Sequence, residues 1–427
     1  MKRHRPHADY RDSGIEWLSD DKIPASWETI KLGLIARFKS GDAIDSARIN
    51  ESGEYPVYGG GGFRGYTDSF NVDAVAPMIG RQGALCGKVW IGHGKVYATE
   101  HAIVAYSGRR CDPEWLRYIL SVMDLGQYST SAAQPGISVE TVASKRVPVP
   151  SLPEQRAIAD YLDRETAQID AFIAKNEDLI TLLTERRAAV IAHAVTRGID
   201  ASAPLAASGV EWLGDVPSHW SVQRLASTVA RARNGVWGAD PEGGGEDLRC
   251  VRVADFDRPK QRIHDDAHTL RKLSASERAG RVLRNGDLLL EKSGGGEKSP
   301  VGFVVLYDRD EPAVCSNFVA RVELRAGMDP QFWTYVHGAM YRLRITEKSL
   351  KQSTGIQNLD QSAYFNEYVA VPPYREQCAI AEQVERRTAE IDAAVGTARH
   401  SVALARERRA ALISAAVTGK IDVGVAV

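Results

Sequence analysis

Two stretches of the chain carry apolar residues at the period of a helix packed along one face. In the first, Ile158, Leu162, Ile169, Phe172, Leu179, Leu183, Val190 and Ala194 recur at steps of three, four or seven. In the second, Ile380, Val384, Ile391, Val395, Val402, Leu412 and Ala416 keep the same phase. A seam of this period is what two packed helices need. Each predicted helix starts after a proline-bearing stretch, Val149-Pro150-Ser151-Leu152-Pro153-Glu154 and Val371-Pro372-Pro373-Tyr374-Arg375-Glu376. Proline is tolerated in a first turn, and glutamate suits the positive end of the dipole. Each helix ends near a glycine, Gly198 and Gly419. About 40 residues at ~1.5 Å each make a rod of roughly 60 Å. Two copies of equal length predict an antiparallel pair; the plainer alternative is a long helix inside an ordinary domain.

Between these stretches the pattern changes to short apolar runs broken by glycine-rich turns. Residues 74–79, 87–91 and 102–106 read as strands, as do 287–290, 301–306 and 318–322. A helix is expected after each set, around 113–123 and 330–345, and residues 201–207 read as a linker.

The helical stretches are also copies of one another. Val147 through Ile199-Asp200 aligns without a gap on Val369 through Ile421-Asp422, with roughly half of the residues identical. The identities include Glu154-Gln155 with Glu376-Gln377, and Glu185-Arg186-Arg187 with Glu407-Arg408-Arg409. Ser13-Gly14-Ile15-Glu16-Trp17-Leu18, leading to Ile23-Pro24 and Trp27, returns as Ser208-Gly209-Val210-Glu211-Trp212-Leu213, leading to Val216-Pro217 and Trp220. The segments between, about 28–146 and 221–368, share almost nothing. A doubled frame around two divergent inserts predicts one scaffold presenting two recognition surfaces.

Composition adds limits. A chain of 427 residues holds two or three domains, and 44% hydrophobic with 26% charged residues is ordinary for a globular protein. No apolar run approaches ~18 residues, so no membrane span is expected. The basic start, Met1 to His7, lacks the apolar stretch of a secretory signal. Cys86, Cys111, Cys250, Cys315 and Cys378 lie far apart, which fits neither a disulfide framework nor a zinc site and suits a reducing cytoplasm. The formal net charge of −1 is adverse for a DNA binder unless charge is segregated or supplied by a partner.

Fragments that imitate catalytic motifs each fail on a required residue. Gly294-Gly295-Gly296-Glu297-Lys298-Ser299 puts a carboxylate where a phosphate loop needs glycine. Pro372-Pro373-Tyr374 resembles the Asn/Asp-Pro-Pro-Tyr of amino-methyltransferases, but Val371 replaces the side chain that holds the target amine. Glu291 and Lys292 are adjacent, where a nuclease site needs Glu-x-Lys. The ten histidines show no metal-binding pair spacing.

What remains is a set of polar and basic loops suited to DNA. Tyr58-Gly59-Gly60-Gly61-Gly62-Phe63-Arg64-Gly65-Tyr66 joins close backbone approach to an arginine and aromatics, with Tyr58, Arg64 and Tyr66 the candidates. A flexible hairpin tip is the other reading, and both stay open. Arg81 and Gln82, between glycines after a strand, pair a guanine reader with an adenine reader. Lys292 and Ser293 sit alike in the second insert. Residues 128–138, with Ser129, Gln134 and Ser138, correspond to 349–358, with Lys351, Gln352, Ser353, Thr354 and Gln357. Their small polar side chains suit phosphates or base edges. Arg186-Arg187 and Arg408-Arg409 on the rods read as solvated or partner-facing.

The Ser-Gly-Val/Ile-Glu-Trp-Leu and Pro-x-x-Trp segments resemble those of the specificity subunits of Type I restriction-modification systems. So do Pro153-Glu154-Gln155-Arg156-Ala157-Ile158 and the Val-Thr-x-x-Ile-Asp exit; the second copy departs in having Arg375 where Pro153 stands. The likeness covers nearly the whole chain. It implies an α+β fold of two target-recognition domains held apart by antiparallel coiled-coil helices. The boundaries expected are 1–150 for the N-terminal segment and first recognition domain, 151–200 for the first spacer helix, 201–371 for linker and second recognition domain, 372–422 for the second helix and 423–427 for a tail. It further implies a bipartite site on double-stranded DNA, two methyltransferase subunits using S-adenosylmethionine, and two restriction/translocase subunits using ATP and Mg²⁺. No cofactor and no catalysis are expected on this chain. A self-contained nuclease or methyltransferase would need a catalytic motif, and a coiled-coil adaptor would not need two divergent inserts.

Overall fold

The structure, a computed structural model, describes residues 6–129, 135–266, 269–296, 299–353 and 356–424. The chain forms two compact units, one of residues 1–177 with 399–427 and the other of residues 178–398. No helix among the described residues is long and apolar enough to cross a membrane.

In the first unit, strands β1 (Ala36–Ser40), β2 (Tyr55–Gly59), β3 (Gly62–Thr67), β4 (Ala76–Gly80), β5 (Val89–Gly92), β6 (Lys95–Ala98) and β7 (Ala102–Ser107) build two sheets. One runs β1-β7-β4-β5, antiparallel throughout; the other runs β3-β2-β6 and then residues 72–73, with β2 and β6 parallel. The central strand β4 is buried at every residue, which is why its sequence is a continuous apolar run without alternation. Helix α1 (Pro113–Val122) covers this sheet with Trp115, Leu116, Ile119 and Leu120. Asp112 caps α1 by accepting from the Glu114 and Trp115 amides, and Pro113 fits the first turn. The short helix α2 (Val139–Ser144) precedes the long helix α3 (Leu152–Arg197).

The second unit repeats this plan with other residues. Its strands are β8 (Val229–Asn234), β9 (Asp247–Val251), β10 (Leu288–Glu291), β11 (Ser293–Gly294), β12 (Val304–Leu306), β13 (Ala313–Cys315) and β14 (Val319–Leu324). The antiparallel sheet runs β8-β14-β10-β12, the same order of first, last and middle strands, and β9 pairs parallel with β13 as β2 does with β6. Helix α4 (Pro330–Arg342) takes the place of α1, capped by Asp329 on the Phe332 amide. Strands β15 (Leu350–Ser353) and β16 (Ile356–Leu359) follow, pairing with β11 in the order β11-β16-β15. The chain then enters helix α5 (Tyr374–Val417).

One glycine shows how closely the two plans match. After the first strand of each antiparallel sheet, Gly41 lies against the Ala98 and Thr99 carbonyls, and Gly235 against those of Cys315 and Ser316. A Cβ at either position would collide with backbone, so only glycine lets the strand cross there.

The repeated residues form the frame that closes each insert. Residues 28–31 pair antiparallel with 146–149, and residues 221–224 with 368–371. The Trp27 indole donates to Glu154 at 2.9 Å, and Trp220 donates to Glu376 at 3.0 Å. Trp17 donates to the Arg146 carbonyl and Trp212 to the Tyr368 carbonyl, at 2.9 and 3.1 Å. Buried Gln155 accepts from the Asp112 amide and donates to the Pro150 carbonyl, as Gln377 accepts from Asp329 and donates to Pro372. Identity at these positions thus follows from a geometry built twice. The expected linker is shorter than 201–207, because residues 205–207 pair with 215–217 as residues 10–12 pair with 22–24.

At 46 and 44 residues, the long helices extend about 69 and 66 Å at ~1.5 Å per residue. In the first unit Asp170 accepts from Arg409 at 2.8 Å, and in the second Asp392 pairs with Arg187 at 3.0 Å. Asp170 and Asp392 are equivalent repeat positions, as are Arg187 and Arg409, so one interhelical ion pair is made twice. Arg187, its side chain only 12% exposed, braces the helices rather than standing solvated as expected, whereas Arg409 stays 37% exposed in its ion pair and Arg186 and Arg408 are exposed. The seam also departs from expectation at Phe172 and Leu179, which stay 48% and 44% exposed. Phe172 lines an open groove with Leu404 and Ala405 of α5, whereas Ile158 and Leu162 pack into the sheet–helix core.

Candidate nucleic-acid interface

In each unit the polar loops converge at the end of the central buried strand. In the first, Arg81 and Gln82 follow β4 directly, and Gly60 at the β2–β3 turn packs on the Gln82 and His101 carbonyls. The segment before α2 joins them, because Gln82 bridges Gly136 and the Ile137 amide donates to the Arg81 carbonyl at 3.0 Å. In the second unit Lys292 and Ser293 follow β10, and Ser293 pairs with Asn358 and Gly294 with Gln357. Both folds therefore bring the residues after the central strand to the segment before the closing strand. This juxtaposition links residues about 50 to 65 positions apart in two unrelated sequences.

The side chains divide into those held by their own unit and those left open. Arg81 is half-buried and donates to Ser40 Oγ at 3.2 Å, while Gln82 Oε1 lies 3.0 Å from His101 Nδ1. Ser129 Oγ accepts from the Gly136 amide at 2.8 Å, and Ser138 caps α2 by accepting from the Thr141 amide at 3.0 Å. Ser293 donates to Asn358 Oδ1 at 2.6 Å, Lys351 pairs with Asp360 at 2.6 Å, and Gln357 Oε1 accepts from the Val301 amide. These polar residues build the loops they stand on. Exposed Arg64 and half-buried Lys292 have no side-chain hydrogen bond or ion pair to a described residue. Tyr58 and Tyr66 flank Phe63 on the β2–β3 hairpin, with ring centroids 6.1 and 5.2 Å from it. Gln352 and Ser353 lie in β15, paired with Gln357 and Ile356. Gln134 and Thr354 lie outside the described residues.

Three aromatic side chains join this picture. Phe63 is 54% exposed between Gly62 and Arg64. Trp237 and Phe318 are exposed in the second unit beside Ser293 and Gly294. Neither shows in the sequence, since an isolated aromatic in a turn carries no period. Next to Lys292, Glu291 is buried with its carboxylate 2.7 Å from Arg258 Nη2. Burial pushes the Glu291 carboxyl up, and the Arg258 charge opposes that shift.

The chain thus carries two divergent α+β inserts on a duplicated helical frame, each with a polar loop cluster at the end of its central strand. Residues 24–181 match the family described as the Type I restriction modification DNA specificity domain. The chain is 36% identical over 38% of its length to the EcoprrI Type I restriction enzyme specificity subunit of Escherichia coli. It is 27% identical over 58% of its length to the StySPI specificity subunit of Salmonella potsdam. The alignments span 41% and 51% of those relatives. A solved chain from work on complex assembly and conformational transition of the type I R-M system shares the fold, with 14% identity and a TM-score of 0.68. That superposition covers 93% of this chain and 99% of the other. The chain thus resembles Type I restriction-modification specificity subunits, and residues 24–181 are similar to the DNA specificity domain of that family.

Proposed function

We propose that the protein is the DNA-recognition subunit of a Type I restriction-modification complex. Each unit reads one part of a bipartite site on double-stranded DNA. The chain itself catalyses nothing. Two methyltransferase subunits carry S-adenosylmethionine, and two restriction/translocase subunits carry ATP and Mg²⁺. The near-neutral charge of this chain suits partners that supply part of the basic surface. The observation that most supports the reading is the identical strand order of two inserts whose loop residues differ. A scaffold kept constant while its loops vary is what two independent sequence readers require, since bases are read by loop side chains and phosphates only position the protein.

The test is reconstitution with the partner methyltransferase and mapping of the methylated bases on genomic DNA. The expected result is a two-part motif with an unspecified spacer, and no methylation by this chain alone. A single contiguous motif, or transfer without the partner, would contradict the proposal.

A further inference from the structure

Beside Lys292 and Ser293 the second unit holds a cavity of about 520 Å³, within the range of pockets that take small planar ligands. Trp237, Phe318, Arg252, Glu291, Ser293 and Asn317 line it. Trp237 and Phe318 are 39% and 45% exposed, so two aromatic side chains stay partly open at a cavity wall. Such faces favour a flat π-ligand. Glu291 is only 1% exposed, and its carboxylate is paired with Arg258 at 2.7 Å. A carboxylate offers only acceptors, so it selects a ligand that donates and disfavours an anionic one. Arg252, held by Asp255 at 2.9 Å, remains partly exposed at the same wall and suits a backbone phosphate alongside.

The geometry points to a subsite for a nucleobase bearing an exocyclic amino group, stacked on Trp237 or Phe318 with an amino N–H donated to Glu291. Adenine, cytosine and guanine carry that donor; thymine offers only its N3–H, flanked by two carbonyl oxygens that a carboxylate repels. A base reaches such a cavity from an unpaired strand or by turning out of the duplex. This inference rests on the DNA-recognition reading and deepens it, because it names what the second unit takes in.

The full chain is titrated with deoxyadenosine, deoxycytidine, deoxyguanosine and thymidine, followed by tryptophan fluorescence and calorimetry. At least one amino-bearing nucleoside is expected to saturate, with thymidine about fivefold weaker or more. Trp237→Ala and Phe318→Ala should each weaken that binding about fivefold or more, with an unchanged thermal midpoint. No saturable binding, equal binding of thymidine, or indifference to both substitutions would overturn the subsite. Duplex binding, measured on the same preparations together with the partner subunits, separates the two claims. Duplex binding without a nucleoside response removes the subsite alone. A nucleoside response without duplex binding keeps the subsite and removes the DNA reading.

Discussion

At the scale of residues, the polar groups that recur in both copies hold the frame, and those that differ face the loops. Gln377 is buried and serves the Asp329 amide, the Trp333 indole and the Pro372 carbonyl. Gln377→Ala leaves these groups without their partner, at about 1–3 kcal/mol for each buried group left unsatisfied. Denaturant unfolding followed in the second unit should therefore shift by about 2 kcal/mol or more, and an unchanged midpoint would show that water replaces the amide. The residues proposed to face DNA call for a different readout. Arg64 and Lys292 are unpaired by described neighbours, so Ala at either should lower affinity for all sequences and reduce the salt slope by about 1. Arg81 is oriented by Ser40, and a guanidinium held in place can read a base edge worth about 1–3 kcal/mol of discrimination. Arg81→Ala should thus relax selectivity at one position of the first half-site. Binding curves on cognate and singly substituted duplexes at two salt concentrations separate these outcomes, and a uniform loss for Arg81→Ala would make it a phosphate contact.

Among the elements, the long helices were the most legible, because a 3.6-residue apolar period over some 40 positions has no other fold. The expected strands at 74–79, 87–91 and 102–106 find their counterparts at 76–80, 89–92 and 102–107 for the same reason of apolar runs between glycines. Pairing order was not legible, since the β1-β7-β4-β5 arrangement depends on contacts far apart in sequence. The exposed Phe172 and Leu179 mark the limit of reading burial from period alone: Phe172 and Leu404 keep the helical phase yet border an open groove. The helices also carry a prediction, motivated by the ungapped repeat and the ion pair made twice. Equal insertions of two turns, near Thr181 in α3 and at its repeat equivalent Ala403 in α5, should lengthen the unspecified spacer of the methylated motif. Both specified parts should stay as they are. An altered specified part beside an unaltered spacer would show that the helices do not set the spacing.

For the whole molecule, the repeat revealed a doubled scaffold and the motif failures argued against chemistry on this chain, while the loop clusters needed coordinates. Arg81 and Gln82 had a visible setting after a strand, but their meeting with Gly136 and Ile137 belongs to tertiary structure. Trp237 and Phe318 were invisible because they come from separate turns joined only by folding. On the proposed function each unit reads DNA on its own. Residues 221–368, bracketed by Trp220 and Val369 of the frame, are to be replaced by the corresponding segment of a relative with a different known motif. The methylated sites of a host carrying the chimera and its partner subunits are then mapped genome-wide. One part of the motif is expected to change to the relative's while the other part and the spacer persist. A motif in which both parts change together would contradict it.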